Sequence, residues 1–218
     1  MKELLFIGID KFDLWAQTQF DIPQNDIGGV WEYDYENWKD IYKSFEDFIL
    51  TTDPQKLTDN QKERLLYIIA RDNENEYLAG VLDTHFLTIL TEYSISNGNR
   101  EDKWQLAIQL HKLTDKQKAL TLLEKFVNDE EEYVSRRSLM ELAKLKSEKV
   151  EFYAERFWNK DKYGYMEEYQ KIAVLHSLKI INSKLLNNYI ERAKQSGQKY
   201  LIENANQIES EINYKTDK

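Results

Sequence analysis

The residues that could do acid–base or metal chemistry are few and scattered in this 218-residue chain. Its three histidines are His85, His111 and His176, and none lies three or four residues from another, the spacing of a helical metal site. The chain has no cysteine, which excludes disulfides, thiolate metal ligands and a cysteine nucleophile. Gly28 and Gly29 lack the Lys-Ser/Thr pair of a phosphate-binding loop. We therefore expect no catalytic centre, no metal and no cofactor.

Two charged clusters remain as candidate sites. The run Asp129–Glu132 could bind a cation or a partner, but carboxylates at this position are also typical of a helix start, where the helix dipole favours them. Arg136 and Arg137 could bind an acidic ligand. Alternatively, they pair with a carboxylate of a neighbouring turn, or their stems pack against apolar side chains. Both readings stay open.

The most unusual cluster alternates aromatic and acidic residues. Trp31, Tyr33, Tyr35 and Trp38 are interleaved with three carboxylates. Large aromatic side chains are enriched at protein interfaces, so these four residues are candidates for partner binding. The alternative is that they cover the open end of a helical repeat array, which needs a cap.

The acidity of the chain is concentrated near its N-terminus. Residues 1–60 carry 5 Lys/Arg against 13 Asp/Glu, a net charge of −8, whereas residues 61–140 carry −3 and residues 141–218 carry +2. Such a surface repels a phosphate backbone, so nucleic-acid binding is disfavoured. It is compatible with a protein partner, in particular a basic one.

The elements that would position these residues are helices. Only 2 prolines and 7 glycines occur, too few for the many turns of a sheet-rich fold. Residues 1–35 lack a clean period, and no element is predicted there. Apolar residues at steps of three and four predict a helix over 36–50, which ends before Asp53 and Pro54. Thr114 is predicted to cap the helix that follows it.

The sequence also repeats itself at an offset of 32 residues. Leu110 then matches Leu142, and Phe126 matches Trp158 and Ile190. A four-residue insertion after Asp161 shifts the later register, so that Leu142 matches Leu178. Helix hairpins of this kind bury their apolar faces by stacking on their neighbours. Five pairs are predicted, at 61–71 with 73–84, 85–95 with 101–113, 116–127 with 130–146, 148–159 with 165–182, and 184–195 with 198–211.

The stretch 119–145 resembles a HEAT repeat. It has an apolar first helix, a turn that contains Asp129, and then Val134 with Arg136 close behind it, one residue later than the family pattern. Residues 66–74 look like a second such first helix and its turn. The resemblance covers residues 61–211 and implies an all-α fold, a short right-handed α-solenoid of about five helical hairpins. Residues 1–60 would form an N-terminal helical cap, 61–212 the repeat array and 213–218 a tail, in one structural domain.

HEAT-like proteins commonly bind other macromolecules, so the resemblance implies a non-enzymatic protein-interaction module. A sharper hypothesis is an immunity or inhibitor protein that neutralises a basic toxin such as a nuclease, because residues 1–60 are acidic. A rival hypothesis is a HEAT-like DNA glycosylase, in which tryptophans would stack on a base. No segment is apolar enough to span a membrane, so a cytoplasmic location is expected. The oligomeric state does not follow from the sequence.

Overall fold

A computed structural model describes residues 2–19, 34–160 and 162–216 of the chain. The described residues form α-helices, short 3-10 turns and loops, and no strand occurs among them. The predicted all-α class is therefore confirmed. The chain divides into two compact units, Met1–Thr114 and Asp115–Lys218, and each is described by itself.

Six α-helices are described in the first unit. They are α1 (Lys2–Gln19), α2 (Trp38–Thr51), α3 (Asp59–Arg71), α4 (Tyr77–Val81), α5 (Thr84–Asn97) and α6 (Arg100–Gln109). Helix α2 packs against α1 and α4, while α3 packs against α5 and α6. Helix α2 confirms the helix predicted over 36–50, and it ends before Asp53 and Pro54 as expected.

Helix α1 was not predicted, and its two apolar faces explain why. Leu5, Ile9 and Phe12 are buried on one side, whereas Leu4 and Leu14 are exposed on another. Such a helix has no single apolar stripe, so its periodicity is weak. Polar contacts hold α1 to α3: the Tyr67 hydroxyl donates to Asp13 Oδ1 over 2.8 Å, and the Arg64 guanidinium donates to the Phe6 carbonyl over 2.6 Å.

The prediction of a second helix over 73–84 is wrong, because α4 has only five residues. The buried carboxylate of Asp72 holds the chain in a turn instead. It accepts hydrogen bonds from the Tyr42 hydroxyl over 2.6 Å and from the backbone N–H of Leu78 over 2.8 Å. Glu76 has a φ of 53°, a left-handed conformation that interrupts a helix before α4.

The second unit contains another six described α-helices. They are α7 (Lys116–Phe126), α8 (Glu132–Lys144), α9 (Val150–Trp158), α10 (Glu167–Ile180), α11 (Leu186–Lys194) and α12 (Lys199–Thr216). Helices α8, α10 and α12 form a row in which α10 packs against both of the others. Helix α7 packs against α8, α9 packs against α8 and α10, and α11 packs against α10 and α12. The cap of α7 is Asp115, which accepts from Lys118 N, and not Thr114 as predicted.

The predicted match of Leu142 with Leu178 is confirmed by two equivalent turns. Helices α8 and α10 are each followed by a residue with positive φ, Lys146 and Asn182. The next residue in each turn donates its backbone N–H over 2.9 Å, from Ser147 to Leu142 O and from Ser183 to Leu178 O. This hydrogen bond closes the left-handed helix end, the Schellman arrangement.

A second repeated contact joins α9 to the end of α7 and α11 to the end of α9. Arg156 on α9 donates to Val127 O over 3.1 Å and to Asn128 Oδ1 over 2.6 Å, just beyond the end of α7. Arg192 on α11 donates to Asn159 Oδ1 over 3.3 Å, just beyond the end of α9. Cations at these positions also interact favourably with the negative helix ends.

Candidate functional site

The aromatic residues of the predicted N-terminal cluster that are described form part of a core. Tyr35 and Trp38 are each 7% exposed. The ring of Phe12 lies 5.1 Å from both of their rings, and Trp38 stacks on Tyr42 at 5.5 Å. This burial favours the predicted capping role over partner binding for Tyr35 and Trp38. Trp31 and Tyr33, the other two residues of the cluster, lie outside the described residues.

Arg136 lies at the start of α8 in a mostly buried ion pair. Its Nε donates to Glu132 Oε1 over 2.9 Å, one turn back on the same helix. Its guanidinium also lies 4.8 Å from the Tyr133 ring centre and 5.6 Å from that of Tyr169 on α10. The prediction that Arg136 pairs with a carboxylate therefore holds, but this carboxylate belongs to the same helix and not to a neighbouring turn.

Arg137 extends the same cluster along α8. Its Nη2 donates to the Tyr133 hydroxyl over 2.6 Å, and its guanidinium lies 5.0 Å from the centre of that ring. The guanidinium groups of Arg136 and Arg137 therefore both lie close to the Tyr133 ring. Because both guanidiniums are held by neighbours, their geometry is fixed before any partner arrives.

Exposed tyrosines also occur at or just before the starts of the next two helices of the row. Glu168 Oε1 on α10 accepts the backbone N–H of Leu201 over 2.9 Å, and this bond joins the start of α10 to the start of α12. Tyr200, next to Leu201, is exposed, and so is Tyr169. Tyr165, in the turn before α10, is 80% exposed. We name these residues the tyrosine–arginine face, which consists of Tyr133, Arg136, Arg137, Tyr165, Tyr169 and Tyr200.

The electrostatics of the face are set by a buried carboxylate. Glu132 is 6% exposed, and its Oε2 has no hydrogen-bond partner among the described residues. Burial raises the pKa of Glu132, and the charge of Arg136 opposes that rise. Nearby, Lys160 Nζ donates to the Tyr163 hydroxyl over 2.6 Å, and that hydroxyl donates to Glu130 O over 3.0 Å. The face therefore presents tyrosine rings, hydroxyl groups and guanidinium edges. The positive charge of Arg136 is balanced locally by Glu132.

No group of three histidine or carboxylate side chains that could hold a metal occurs among the described residues. His176 Nε2 lies 3.0 Å from Asn204 Oδ1, within a helix-to-helix contact. The glycosylase hypothesis relies on Trp15, Trp31, Trp38, Trp104 and Trp158. Trp38, Trp104 and Trp158 are buried and so are not free to stack on a nucleic-acid base, whereas Trp15 is half-buried and Trp31 lies outside the described residues.

Sequence reasoning found the two arginines of the face but missed its tyrosines. A signal was present, because Tyr133 and Tyr169 are separated by 36 residues, the spacing that also relates Leu142 to Leu178. Both tyrosines therefore occupy the first turn of their helices, α8 and α10. Tyr133 is half-buried and Tyr169 is exposed.

None of the described helices combines the length and apolar character of a membrane span. No family model, curated protein or solved structure matches this chain.

Proposed function

We propose that this chain is a non-enzymatic protein-binding module and that the tyrosine–arginine face is its binding surface. The observation that carries the proposal is the exposure of Tyr165, Tyr169 and Tyr200 at or just before the starts of α10 and α12, with Tyr169 lying 5.6 Å from the fixed guanidinium of Arg136. Tyrosine and arginine are the residues that most often dominate binding energy at protein interfaces. A tyrosine ring contributes apolar area with little entropic cost, and its hydroxyl contributes a hydrogen bond.

A protein partner fits the charge of this unit better than a nucleic acid does. Residues 115–218 carry 19 Lys/Arg against 18 Asp/Glu, a net charge of +1. Nucleic-acid binding draws most of its affinity from many cations that neutralise phosphates. The charge of Arg136, one of the two cations of the face, is already paired with the carboxylate of Glu132, which disfavours a polyanion.

The solenoid architecture belongs to the same proposal. The row of α8, α10 and α12 and the equivalent turns at Lys146 and Asn182 support a stack of HEAT-like hairpins in the second unit. We extend this to a short right-handed α-solenoid of about five hairpins, in which second helices present the binding face. A cytoplasmic location completes the proposal, and the absence of cysteine is compatible with it.

The test is an affinity capture that compares three versions of the chain. We expect one protein species to be retained by the wild type and lost when both Tyr165 and Tyr200 are replaced by serine. The matched control is Phe152→Ser, since Phe152 is also exposed but lies on α9, outside the face. Equal retention by all three versions, or by none, would contradict the proposed surface.

A second candidate function is inhibition of a basic protein, and a separate observation favours it. Residues 1–114 carry 11 Lys/Arg against 21 Asp/Glu, so the first unit alone has a net charge of −10. Acidic complementarity speeds association with a basic partner and weakens as salt is added. We therefore expect a captured basic partner to associate at least tenfold more slowly at 0.5 M than at 0.05 M NaCl. A salt-insensitive association rate would remove this candidate.

A further inference from the structure

Helix α1 has an apolar stripe that no described residue covers. Leu4, Ile7 and Leu14 are 60%, 48% and 63% exposed, and with Lys11 they form one stripe at steps of three, four and three residues. The opposite side of α1 is buried in the core of the first unit. Single exposed apolar residues need no explanation, but three on one stripe of a surface helix indicate a contact surface.

The stripe borders a groove between α1 and α2. The groove has a volume of about 460 Å³. Its α1 wall consists of Leu4, Ile7, Gly8 and Lys11, and a Cβ atom at Gly8 would lie 3.6 Å from Ile41 on α2. The α2 wall is polar. Four charged side chains that line this groove have no ion-pair partner among the described residues, and they are Lys11, Asp40, Lys43 and Asp47.

We propose that this face binds a second copy of the same chain, with the two α1 helices packed antiparallel. The spacing of the stripe fits this register. When α1 is related to its copy by a twofold axis near Ile9, Leu4 lies opposite Leu14 of the second copy, and Ile7 lies opposite Lys11 of the second copy. Leucine then meets leucine at both ends, while the lysine stem packs on isoleucine and its ammonium group stays at the rim.

The charges of the groove also favour a second copy over another occupant. Two cations and two anions without an ion-pair partner among the described residues line it, so the groove is locally neutral and a second copy brings no net charge against it. A purely basic partner would leave Lys11 and Lys43 facing like charges. The whole chains, at −9 each, repel one another at long range, and salt screens that repulsion. Dimerisation should therefore strengthen with salt, opposite to the binding of a basic partner.

The size of the face predicts a weak dimer. A helix of this length is about 27 Å long, and two helices side by side are about 20 Å wide, so roughly 500 Å² of each copy would be covered. The total of roughly 1,000 Å² lies at the lower limit for specific interfaces. We expect dimers to form at concentrations on the order of 10–100 μM.

Analytical ultracentrifugation of the whole chain from 1 to 300 μM tests the dimer. We expect dimer formation that increases about threefold or more in association constant between 0.05 and 0.5 M NaCl. Ile7→Asp should leave the chain monomeric, whereas Leu50→Asp should not, since Leu50 is 81% exposed on α2 and does not line the groove. A monomer at every concentration, or a dimer that Ile7→Asp leaves intact, would overturn the proposal.

Cysteine cross-linking tests the register, and the natural chain contains no cysteine to interfere. We expect a mixture of Leu4→Cys and Leu14→Cys chains to form a disulfide-linked dimer under mild oxidation. Either variant alone should not, because the two identical positions would lie about 15 Å apart in the antiparallel dimer, beyond the reach of a disulfide. Cross-linking of each variant alone at the rate of the mixture would refute the antiparallel register. This proposal uses a different surface from the tyrosine–arginine face, so either one can fail without the other.

Discussion

Replacement of Trp38 by alanine is the perturbation that best separates a core role from a binding role for the N-terminal aromatic residues. Trp38 begins α2, is almost fully buried, and lies 5.1 Å from the ring of Phe12 and 5.5 Å from that of Tyr42. Removal of a buried tryptophan costs roughly 3–5 kcal/mol through lost transfer energy and the cavity left behind. The aromatic pairs of Trp38 with Phe12, Tyr35 and Tyr42 are lost as well. Each contributes about 0.5–1.5 kcal/mol, and the range of roughly 3–5 kcal/mol already includes part of this contribution. We expect a loss of about 4 kcal/mol.

Urea unfolding followed by far-ultraviolet circular dichroism measures this loss. With a slope of about 2–3 kcal/mol/M, a loss of about 4 kcal/mol moves the midpoint of the affected transition down by roughly 1.5–2 M. Leu50→Ala is the matched control, because Leu50 is on the same helix and is exposed. It should change stability by less than about 0.5 kcal/mol. If Trp38→Ala leaves the midpoint unchanged, the ring is not a core element, and the partner-binding interpretation of this segment becomes the better one.

Three further predictions concern charged residues. Burial raises the pKa of Asp102 to about 7 from its ordinary 3.8, so its contribution to stability should fall by at most about 4 kcal/mol as the pH rises from about 4 to about 7. The urea midpoints of wild type and Asp102→Asn, compared from pH 4 to 8, should therefore diverge between about pH 4 and about pH 7 only. Parallel curves over the whole series would refute the assignment. Arg156→Ala should lower the free energy of unfolding by about 1–2 kcal/mol and Arg192→Ala by less, because Arg156 donates two hydrogen bonds and Arg192 one longer bond. Thermal unfolding measures both losses, and equal losses would contradict this ranking. Arg136→Ala should lower the free energy of unfolding by about 2–3 kcal/mol, because it removes the ion-pair partner of the buried Glu132 carboxylate. Adding Glu132→Gln should restore part of that stability in the same thermal unfolding assay. No restoration in the double variant would contradict the pairing.

The sequence predicts a helix well where burial involves one face only. Trp38, Ile41, Phe45 and Phe48 form a single buried stripe, and α2 begins and ends within two residues of its predicted limits. In the second unit, where α10 is buried on several faces, the repeated leucines still predict the register of α8 and α10, because the same position recurs in both helices. In both cases local periodicity reports the tertiary environment directly.

The missed elements depend on interactions that a local pattern does not contain. Helix α1 is apolar on two faces, one of which contacts the core and one of which is exposed, so its period is blurred. Helix α4 is short because Asp72 is bonded by Tyr42, thirty residues earlier in the chain. Long-range polar contacts of this kind override the local preference for helix, which is why 73–84 was predicted to be helical throughout.

The candidate site followed the same division. Arg136 and Arg137 stand out in sequence because paired arginines are conspicuous, and both belong to the face. Tyr165 and Tyr200 do not stand out, because an exposed tyrosine near a helix start has no local signature. The bond between Glu168 and Leu201 joins the starts of α10 and α12, and it is a long-range contact that no local pattern contains.

Site-specific photocrosslinking tests the central claim, that the tyrosine–arginine face binds a protein, most directly. A photoreactive phenylalanine analogue would replace Tyr165, Tyr200 or, as the control, Phe152, one position per chain, in cells that produce the protein. Because all three positions are exposed, the substitutions should leave the fold intact. We predict a covalent adduct with one and the same protein from positions 165 and 200, and none with that protein from position 152. Absence of an adduct at 165 and 200, or an identical set of adducts at all three positions, would contradict the proposed function.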